Sequence, residues 1–297
     1  MEVLVQTRVK TFFETVQQNI CVRIQAEEPQ LKFLLDSWKK SDLGQGVSAV
    51  LEGGTVIEKG GVNFSHVSGK ALPGSATARN PQWASQPFQA TGVSVVIHPR
   101  NPYAPTSHFN VRMIEVGDHW WVGGGFDLTP YYGFSEDCIL WHHCAKRACD
   151  QHHLDFYPQF KAACDTYFFL PHRNEARGIG GIFFDDLVFA TQEAALAFLQ
   201  SVTEAYIEAY TTILQRRKGL SFGERERAFQ AYRRGRYVEF NLIYDRGTLF
   251  GLQSQGRTES ILMSLPPHVE WRYHWQPEPG SPEALLYEDF LPARDWI

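Results

Sequence analysis

The chain has 297 residues, of which 43% are hydrophobic and 21% charged, and this balance is typical of a folded globular protein rather than a disordered one. A net charge of −5 at pH 7 argues against nucleic acid or an anionic membrane surface as the main partner. No stretch reaches the roughly 20 consecutive apolar residues that a membrane-spanning helix needs.

Cysteine usage predicts the compartment. The five cysteines are an odd number without a CxxC pair, which indicates neither a disulfide framework nor a thiolate zinc site. The N-terminal segment lacks the apolar run of a signal peptide. We therefore expect a protein of the reducing cytoplasm.

The first part of the chain is predicted to be helical up to about residue 40, because Val9, Phe13 and Val16 recur at helical spacing. The next segment, 43–90, is rich in Gly, Ser, Ala and Pro and predicts short strands and loops.

Clear alternation of apolar and polar residues begins at residue 91. The segments "TGVSVVIHP" (91–99) and "HFNVRMIEV" (108–116) each predict a strand, and the loop between them predicts an antiparallel hairpin. A further strand is predicted from Trp120 to Phe126.

The second half of the chain predicts mostly helices. Strands in runs, helices in runs and no regular βαβ alternation predict an α+β fold with an antiparallel sheet, formed by one domain over 1–297. The predicted elements are a helix capped by Ser135, a helix from Asp155 to about Leu170, a buried strand over 181–190, a helix from Thr191 to Lys218 ended by Gly219, a helix opened by a Ser221–Glu224 capping box and ending near Gly235, and a hairpin over 236–253 with its turn at residues 245–247.

An unusual polar row marks the predicted hairpin. On a strand, His108, Asn110 and Arg112 point to one face, and Ser94 and His98 form a second row on the neighbouring strand. Arginine binds carboxylates in a bidentate manner, and histidine moves protons near neutral pH. If the two rows coincide, they form the floor of a site for a carboxylate-bearing ligand; the alternative is an ordinary solvated face.

Four histidines raise the possibility of a metal site. They lie on a patterned face or beside the end of a predicted element, and four imidazoles suit a divalent transition metal. No HExxH or HxH pair is present, so hydrogen bonding to substrate is an equal alternative. The four are His98, His108, His142 and His172.

Two glycine-rich segments do not match nucleotide-binding motifs. "RGIGGIFFDD" (177–186) precedes a strand, whereas a dinucleotide fingerprint follows one, and "GGGFDLTP" (123–130) lacks the Lys-Ser/Thr of a phosphate loop. Three consecutive glycines would instead let the backbone approach a bulky ligand. Asp127 follows them and is predicted to be either an acid–base group or a turn aspartate.

Several long segments resemble oxygen-dependent coproporphyrinogen III oxidase, most closely its bacterial form, in order from about residue 45 to the terminal "RDWI". The segments that carry the resemblance are "GVNFSHVSG", "HPRNPYAPTSHFNVR", "WWVGGGFDLTPYYGF", "FFLPHRNEARGIGGIFFDD", "RRGRYVEFNLIYDRGTLFGL" and "GRTESILMSLPP".

The resemblance implies a cytoplasmic homodimer that converts two propionates of coproporphyrinogen III to vinyl groups, giving protoporphyrinogen IX, with O2 as electron acceptor. It also implies a large antiparallel sheet flanked by helices on both faces, a substrate cleft between them, and no organic cofactor. Members differ in whether they need a divalent metal cation.

The resemblance further implies roles for individual residues. It places His108 as proton donor, with Asp127, Arg112 and Arg177 in active-site motifs. Our hypothesis sets Asp127 against the pyrrole N–H groups and gives propionates to Arg112 and Arg177. Substrate contacts fall on Ser94, Asn110, Arg112, Gln255, Gly256 and Arg257, of which Gln255 replaces a glycine of bacterial relatives, and metal ligands on His98, His108, His142 and His172.

Two other functions are compatible with these residues. One is a metal-dependent dioxygenase acting on another substrate through the histidines. The other is a non-catalytic tetrapyrrole carrier that uses the same aromatic and arginine surface.

Overall fold

Strands of one large sheet organise the chain. The computed structural model describes residues 2–41, 43–72, 81–253 and 256–297. In chain order its strands are β1 (Leu34–Lys40), β2 (Gly44–Glu52), β3 (Ile57–Gly69), β4 (Phe88–Pro99), β5 (Thr106–Val116), β6 (His119–Thr129), β7 (Phe169–Leu170), β8 (Glu175–Ala176) and β9 (Gly181–Leu187). The large sheet has the order β1-β2-β3-β4-β5-β6-β9 and is antiparallel throughout, while β7 and β8 pair separately.

Helices cover both faces of this sheet. They are α1 (Glu2–Glu27), α2 (Ser135–Asp150), α3 (Phe156–Tyr167), α4 (Gln192–Arg217), α5 (Glu224–Ile243), α6 (Arg246–Gln253), α7 (Thr258–Leu262) and α8 (Pro282–Leu285), which runs into a π-helical turn (Leu286–Phe290). Apolar side chains of α1 to α4 share the main core with one face of the sheet. Helices α5 to α7 lie over the other face, which confirms the predicted α+β architecture.

The main core explains the alternation of the central strands. Phe109, Val111 and Met113 of β5 are at most 1% exposed and point towards α1 and α4. Phe109 stacks on Tyr206 of α4 with ring centroids 4.8 Å apart. Because side chains of a strand alternate between faces, the polar residues between them must point the other way. The predicted hairpin of β4 and β5 and the strand β6 are confirmed.

The first helix is shorter than predicted. It ends at Glu27, two residues before Pro29, because a proline disfavours helical geometry in the residue before it. The following residues, 34–40, form the edge strand β1 rather than more helix.

The hairpin predicted over 236–253 is wrong. Helix α5 continues through Gly235 to Ile243, and α6 follows directly. Nearly every side chain of α5 from Phe229 onwards is buried, so the helix lacks the apolar stripe that marks an amphipathic helix in a sequence. The predicted turn residue Asp245 instead lies directly before α6, where its carboxylate accepts a hydrogen bond from Thr248 N at 2.8 Å.

The predicted helix caps are not formed. Helix α4 begins where predicted, and Thr191 caps it, since its Oγ1 accepts a hydrogen bond from Ala194 N at 3.2 Å. Ser135 and Asp155 make no side-chain capping bond. Helix α5 starts at Glu224, where Gly223 N donates to Glu226 Oε2, so the predicted Ser221 box is not formed.

A two-residue turn sets the register of β5 and β6. Val116 is paired with His119, and Gly117 adopts a φ of +56°, which glycine accepts at the first position of such a turn. This register places His108 directly opposite Asp127.

The Thr191 cap gives a test of this description. We expect Thr191→Ala to lower the free energy of unfolding by about 1 kcal/mol, because the N–H of Ala194 loses its partner. Ser135→Ala is the matched control, since exposed Ser135 caps nothing, and it should change stability by less than about 0.5 kcal/mol. Urea denaturation of both variants measures the difference; equal effects would contradict the assignment.

Candidate active site

A row of polar side chains crosses the second face of the sheet. Ser48, Asn63, Ser94 and Asn110 lie opposite one another on four neighbouring strands, β2 to β5. Arg112 lies two residues further along the same face and donates from Nη1 to Asn110 Oδ1 at 2.9 Å. The two predicted polar rows therefore coincide. Helices α5 to α7 cover this face, so it is not simply solvated.

A cleft of about 270 Å³ separates this face from the covering helices. The predicted residues that line it are Ser94, His108, Asn110, Arg112, Arg177, Gly256 and Arg257. The predicted contact Gln255 lies outside the described residues. Arg257 pairs with Asp36 on the edge strand β1, which ties the loop before α7 to the sheet.

A buried charge pair lies at the cleft floor, where Arg177 lines the cleft and Asp127 lies behind it. Asp127 is 1% exposed and receives two hydrogen bonds from Arg177, from Nη2 at 2.6 Å and from Nε at 3.1 Å. Its Oδ1 also lies 2.9 Å from Nδ1 of His108, which does line the cleft. Asp127 therefore orients His108 from behind and does not itself line the cleft.

Arg177 is held on every side. Its Nη1 donates to Asn241 Oδ1 of α5 at 2.9 Å, and the guanidinium lies over the rings of Phe168, Tyr237 and Phe240 at 4.2–4.7 Å. Such stacking suits the planar, weakly hydrated guanidinium. The aromatic cage fixes the charge that faces Asp127.

The electrostatics of this pair favour the charged forms. Burial alone would raise the pKa of Asp127, but the charge of Arg177 and the hydrogen bond from His108 outweigh it, and the pKa is lowered. The pKa of Arg177 is raised despite its burial, because of Asp127. Asp127 is thus a carboxylate at neutral pH.

A second carboxylate is bound by Arg112 and Arg246, which together form an arginine clamp. Arg112 Nη2 donates to Asp185 Oδ1 of β9 at 2.7 Å, and Arg246 Nη2 lies 3.2 Å from Asp185 Oδ2. Burial would raise the pKa of Asp185, but the two arginines lower it. The guanidinium predicted to bind a propionate is thus bonded to a carboxylate of the chain itself.

The three glycines of β6 make room for this arrangement. A Cβ at Gly123 would lie 2.7 Å from Asp185 Oδ1 and 2.9 Å from Arg112 Nη2. At Gly125, with φ +139°, it would lie 2.0 Å from the carbonyl oxygen of Ile182. Both contacts are too short, so the glycines allow close approach of the clamp and of β9.

The four predicted metal ligands are not brought together. His142 lies on α2, which covers the opposite face of the sheet, and burial lowers the pKa of His98 to about 3 and that of His142 to about 4. In the described part of the chain, no group of three or more His, Cys, Asp or Glu side chains is placed to hold a metal ion. The residues present do not fit the predicted site. Each histidine is instead hydrogen-bonded to other groups. His98 contacts Thr106 Oγ1 and the Ser264 carbonyl, and His108 contacts Asp127. His142 contacts Tyr157 and the Ile179 carbonyl, and His172 contacts Tyr244 and Glu239.

Three residues of the site were missed by the sequence interpretation: Asp185, Asn241 and Arg246. Asp185 follows the apolar run of a buried strand, where a charged residue needs a partner, and this signal could have identified it. Asn241 and Arg246 were placed in a hairpin that does not exist, so their position beside the cleft was hidden.

Comparison with known protein families identifies the family of this chain. A family model described as Coproporphyrinogen III oxidase matches residues 8–296. The chain belongs to this family. As a member, it is an enzyme of the oxidative decarboxylation of coproporphyrinogen III in haem biosynthesis. Among the residues that the structure describes, no helix has the length and apolarity to cross a bilayer.

The buried pair yields a stability prediction. Asp127→Asn should lower the free energy of unfolding by about 3 kcal/mol at pH 7, because it leaves the Arg177 charge buried without a counter-charge. The folded pKa of Asp127 is lowered, so its contribution is present above the unfolded pKa of about 3.9 and is lost as the pH falls through the folded value.

Denaturation between pH 7 and pH 3 should therefore show a gap between wild type and variant that narrows on acidification. Exposed Asp118 in the β5–β6 turn provides the control variant Asp118→Asn, which should leave stability within about 0.5 kcal/mol. A gap that widens below pH 4 would contradict the assignment.

Proposed function

We propose that this enzyme is an oxygen-dependent coproporphyrinogen III oxidase that converts two propionates to vinyl groups and forms protoporphyrinogen IX. The observation that carries the proposal is His108, held at the cleft wall by the buried Asp127–Arg177 pair and placed beside the arginine clamp. A proton-transfer group next to carboxylate-binding groups suits a substrate that carries both pyrrole N–H groups and propionates.

The chemistry of each step fixes what the residues must do. A propionate loses CO2 and a hydride equivalent from its β-carbon, leaving the vinyl group. O2 accepts the hydride equivalent and, with a proton from water, becomes hydrogen peroxide. A deprotonated pyrrole is electron-rich enough to release the hydride equivalent, so the proposal needs no organic cofactor.

His108 is the proposed acid–base residue. With Nδ1–H donated to the Asp127 carboxylate, Nε2 is the ring atom that accepts the pyrrole proton. The same atom returns the proton to the pyrrole nitrogen after decarboxylation. Because both oxygens of Asp127 are already bonded, we assign it as the positioning residue for His108 rather than as the direct base of our sequence hypothesis.

The arginines divide into two roles in the proposal. Arg112 and Arg257 line the cleft and bind propionates, assisted by Ser94 and Asn110. The guanidinium of Arg177 is bonded to Asp127 and Asn241, so Arg177 neutralises the charge of Asp127 and does not bind a propionate. No step passes through a metal ion.

The proposal extends to location and assembly. All five cysteines are free thiols, which suits the cytoplasm. Leu242, Ile243 and Leu252, at the end of α5 and on α6, are 47–54% exposed although they are large and apolar. We propose that a second copy of this chain covers them in a homodimer.

A turnover assay tests the reaction. The enzyme should convert coproporphyrinogen III in air to a tripropionate intermediate and then to protoporphyrinogen IX, and should do neither without O2. Products are measured by chromatography after oxidation to porphyrins. A parallel assay with a chelator tests whether turnover requires a metal ion. Unchanged turnover is expected; turnover that is lost with the chelator and restored by added metal would contradict the metal-free proposal.

His108→Gln should lower kcat by about 10²–10⁴-fold, because the acid–base group is removed while the side-chain amide keeps a donor for Asp127. His143→Gln on the exposed surface of α2 is the matched control and should keep wild-type kcat. Near-normal turnover of folded His108→Gln would contradict the assigned role.

Asp185→Asn should lower KM by roughly 3- to 10-fold, because it removes the negative charge that occupies Arg112 and opposes substrate carboxylates. The same steady-state kinetics on Asp118→Asn control for the change of net charge. A higher KM in the folded Asp185 variant would show that the carboxylate holds Arg112 in place for the substrate instead of competing with it.

A further inference from the structure

A second and larger cleft lies behind the active site. It encloses about 980 Å³ between the 168–180 segment, α5, the 271–277 segment and the C-terminal segment 287–296. Small-molecule sites commonly span about 300–1,000 Å³, so this space is large enough for a macrocycle. Phe168 lines both clefts and separates them.

Flat aromatic rings form much of its wall. Trp271 and Tyr273 are 52% and 94% exposed, which is unusual for side chains of this size. Trp275 and Trp296 line the same space, and Trp296 stacks on Phe290 with ring centroids 5.8 Å apart. Such rings favour a planar, largely apolar ligand that stacks against them.

The lining of the cleft contains more arginines than carboxylates. Four arginines line it against two carboxylates, those of Asp165 and Glu175. Two of the arginines are committed elsewhere, since Arg173 bonds to Glu239 and Arg272 bonds to Glu270. Of the other two, Arg236 lies 3.6 Å from carboxylate oxygens of Glu175 and Glu239, and Arg294 forms no ion pair among the described residues.

Arg236 is buried and incompletely satisfied. It is 5% exposed, and its Nε has no hydrogen-bond partner among the described residues. Its Nη2 donates to the hydroxyl of Tyr232, and its guanidinium forms ion pairs with Glu175 and Glu239 at 3.6 Å, a distance beyond that of a hydrogen bond. A buried N–H without a partner is costly, and an anionic ligand group in the cleft would supply one.

Arg294 is the exposed counterpart. Its guanidinium lies 5.3 Å from the ring centroid of Trp296 and forms no ion pair within the described part of the chain. It therefore presents a positive charge directly beside an aromatic surface. Together with Arg236 it offers two anchoring points for carboxylates.

We propose that this second cleft binds a planar porphyrin with two propionates, as a molecule separate from the one in the active site. The aromatic rings stack on the macrocycle, and Arg236 and Arg294 each bind one propionate. The choice of a tetrapyrrole rests on the proposed function. The preference for an oxidised, planar porphyrin over a puckered porphyrinogen rests on the flat aromatic wall.

Equilibrium titration of the full chain with protoporphyrin IX tests the proposal, with porphyrin fluorescence anisotropy as the readout. Binding should survive Arg112→Gln, which alters only the active site, and should be weakened at least 10-fold by Arg294→Gln in that background, because a charge-assisted contact is lost. Arg147→Gln, on the exposed surface of α2, is the matched control and should bind as wild type.

Arg236→Gln should weaken porphyrin binding to a similar extent if the variant folds. If it does not fold, the exposed residue Arg294 still provides the test through Arg294→Gln. A parallel titration with coproporphyrin III distinguishes the two-propionate ligand from the four-propionate one; the former should bind more tightly. Binding that is lost in Arg112→Gln, or unchanged in Arg294→Gln, would overturn the proposal. Because the titration needs neither O2 nor turnover, its result is independent of whether the proposed reaction is observed.

Discussion

The ion pair between Asp127 and Arg177 is the constraint on which the site depends. Two opposite charges that are each almost fully buried are tolerable only when both are bonded, and breaking such a pair costs about 3–5 kcal/mol. The pair joins β6 to the segment before β9, and Asn241 extends it to α5. His108 then receives its orientation from a group that solvent does not reach.

Much of this could be predicted from the sequence because strands impose a period of two. Once 91–99 and 108–116 were assigned as strands, the face of Ser94, Asn110 and Arg112 followed, and the structure confirms that face. The helix α4 was equally accessible, since its amphipathic periodicity is a local pattern. Local periodicity thus identified the floor of the site.

The rest depended on contacts that no local pattern encodes. Helix α5 is buried nearly all round, so its sequence shows no apolar stripe and was mistaken for a hairpin. The carboxylate of Asp185 meets Arg112 only through the pairing of β9 with β6, 73 residues along the chain. The histidines illustrate the opposite error: a shared residue type suggested one site, but the fold places His142 and His108 on opposite sides of the sheet.

The length of the two-residue turn at Gly117 and Asp118 fixes which residues of β5 and β6 lie opposite each other, including His108 and Asp127. The turn lies nine residues from His108 on β5 and nine from Asp127 on β6, and its length sets the register in which they face each other. Insertion of one residue there would shift β6 by one position and turn Asp127 towards the main core, whereas Phe126 would face Arg177. A change in the length of this turn would therefore disrupt the site as a substitution within it would, although neither Gly117 nor Asp118 lines the substrate cleft.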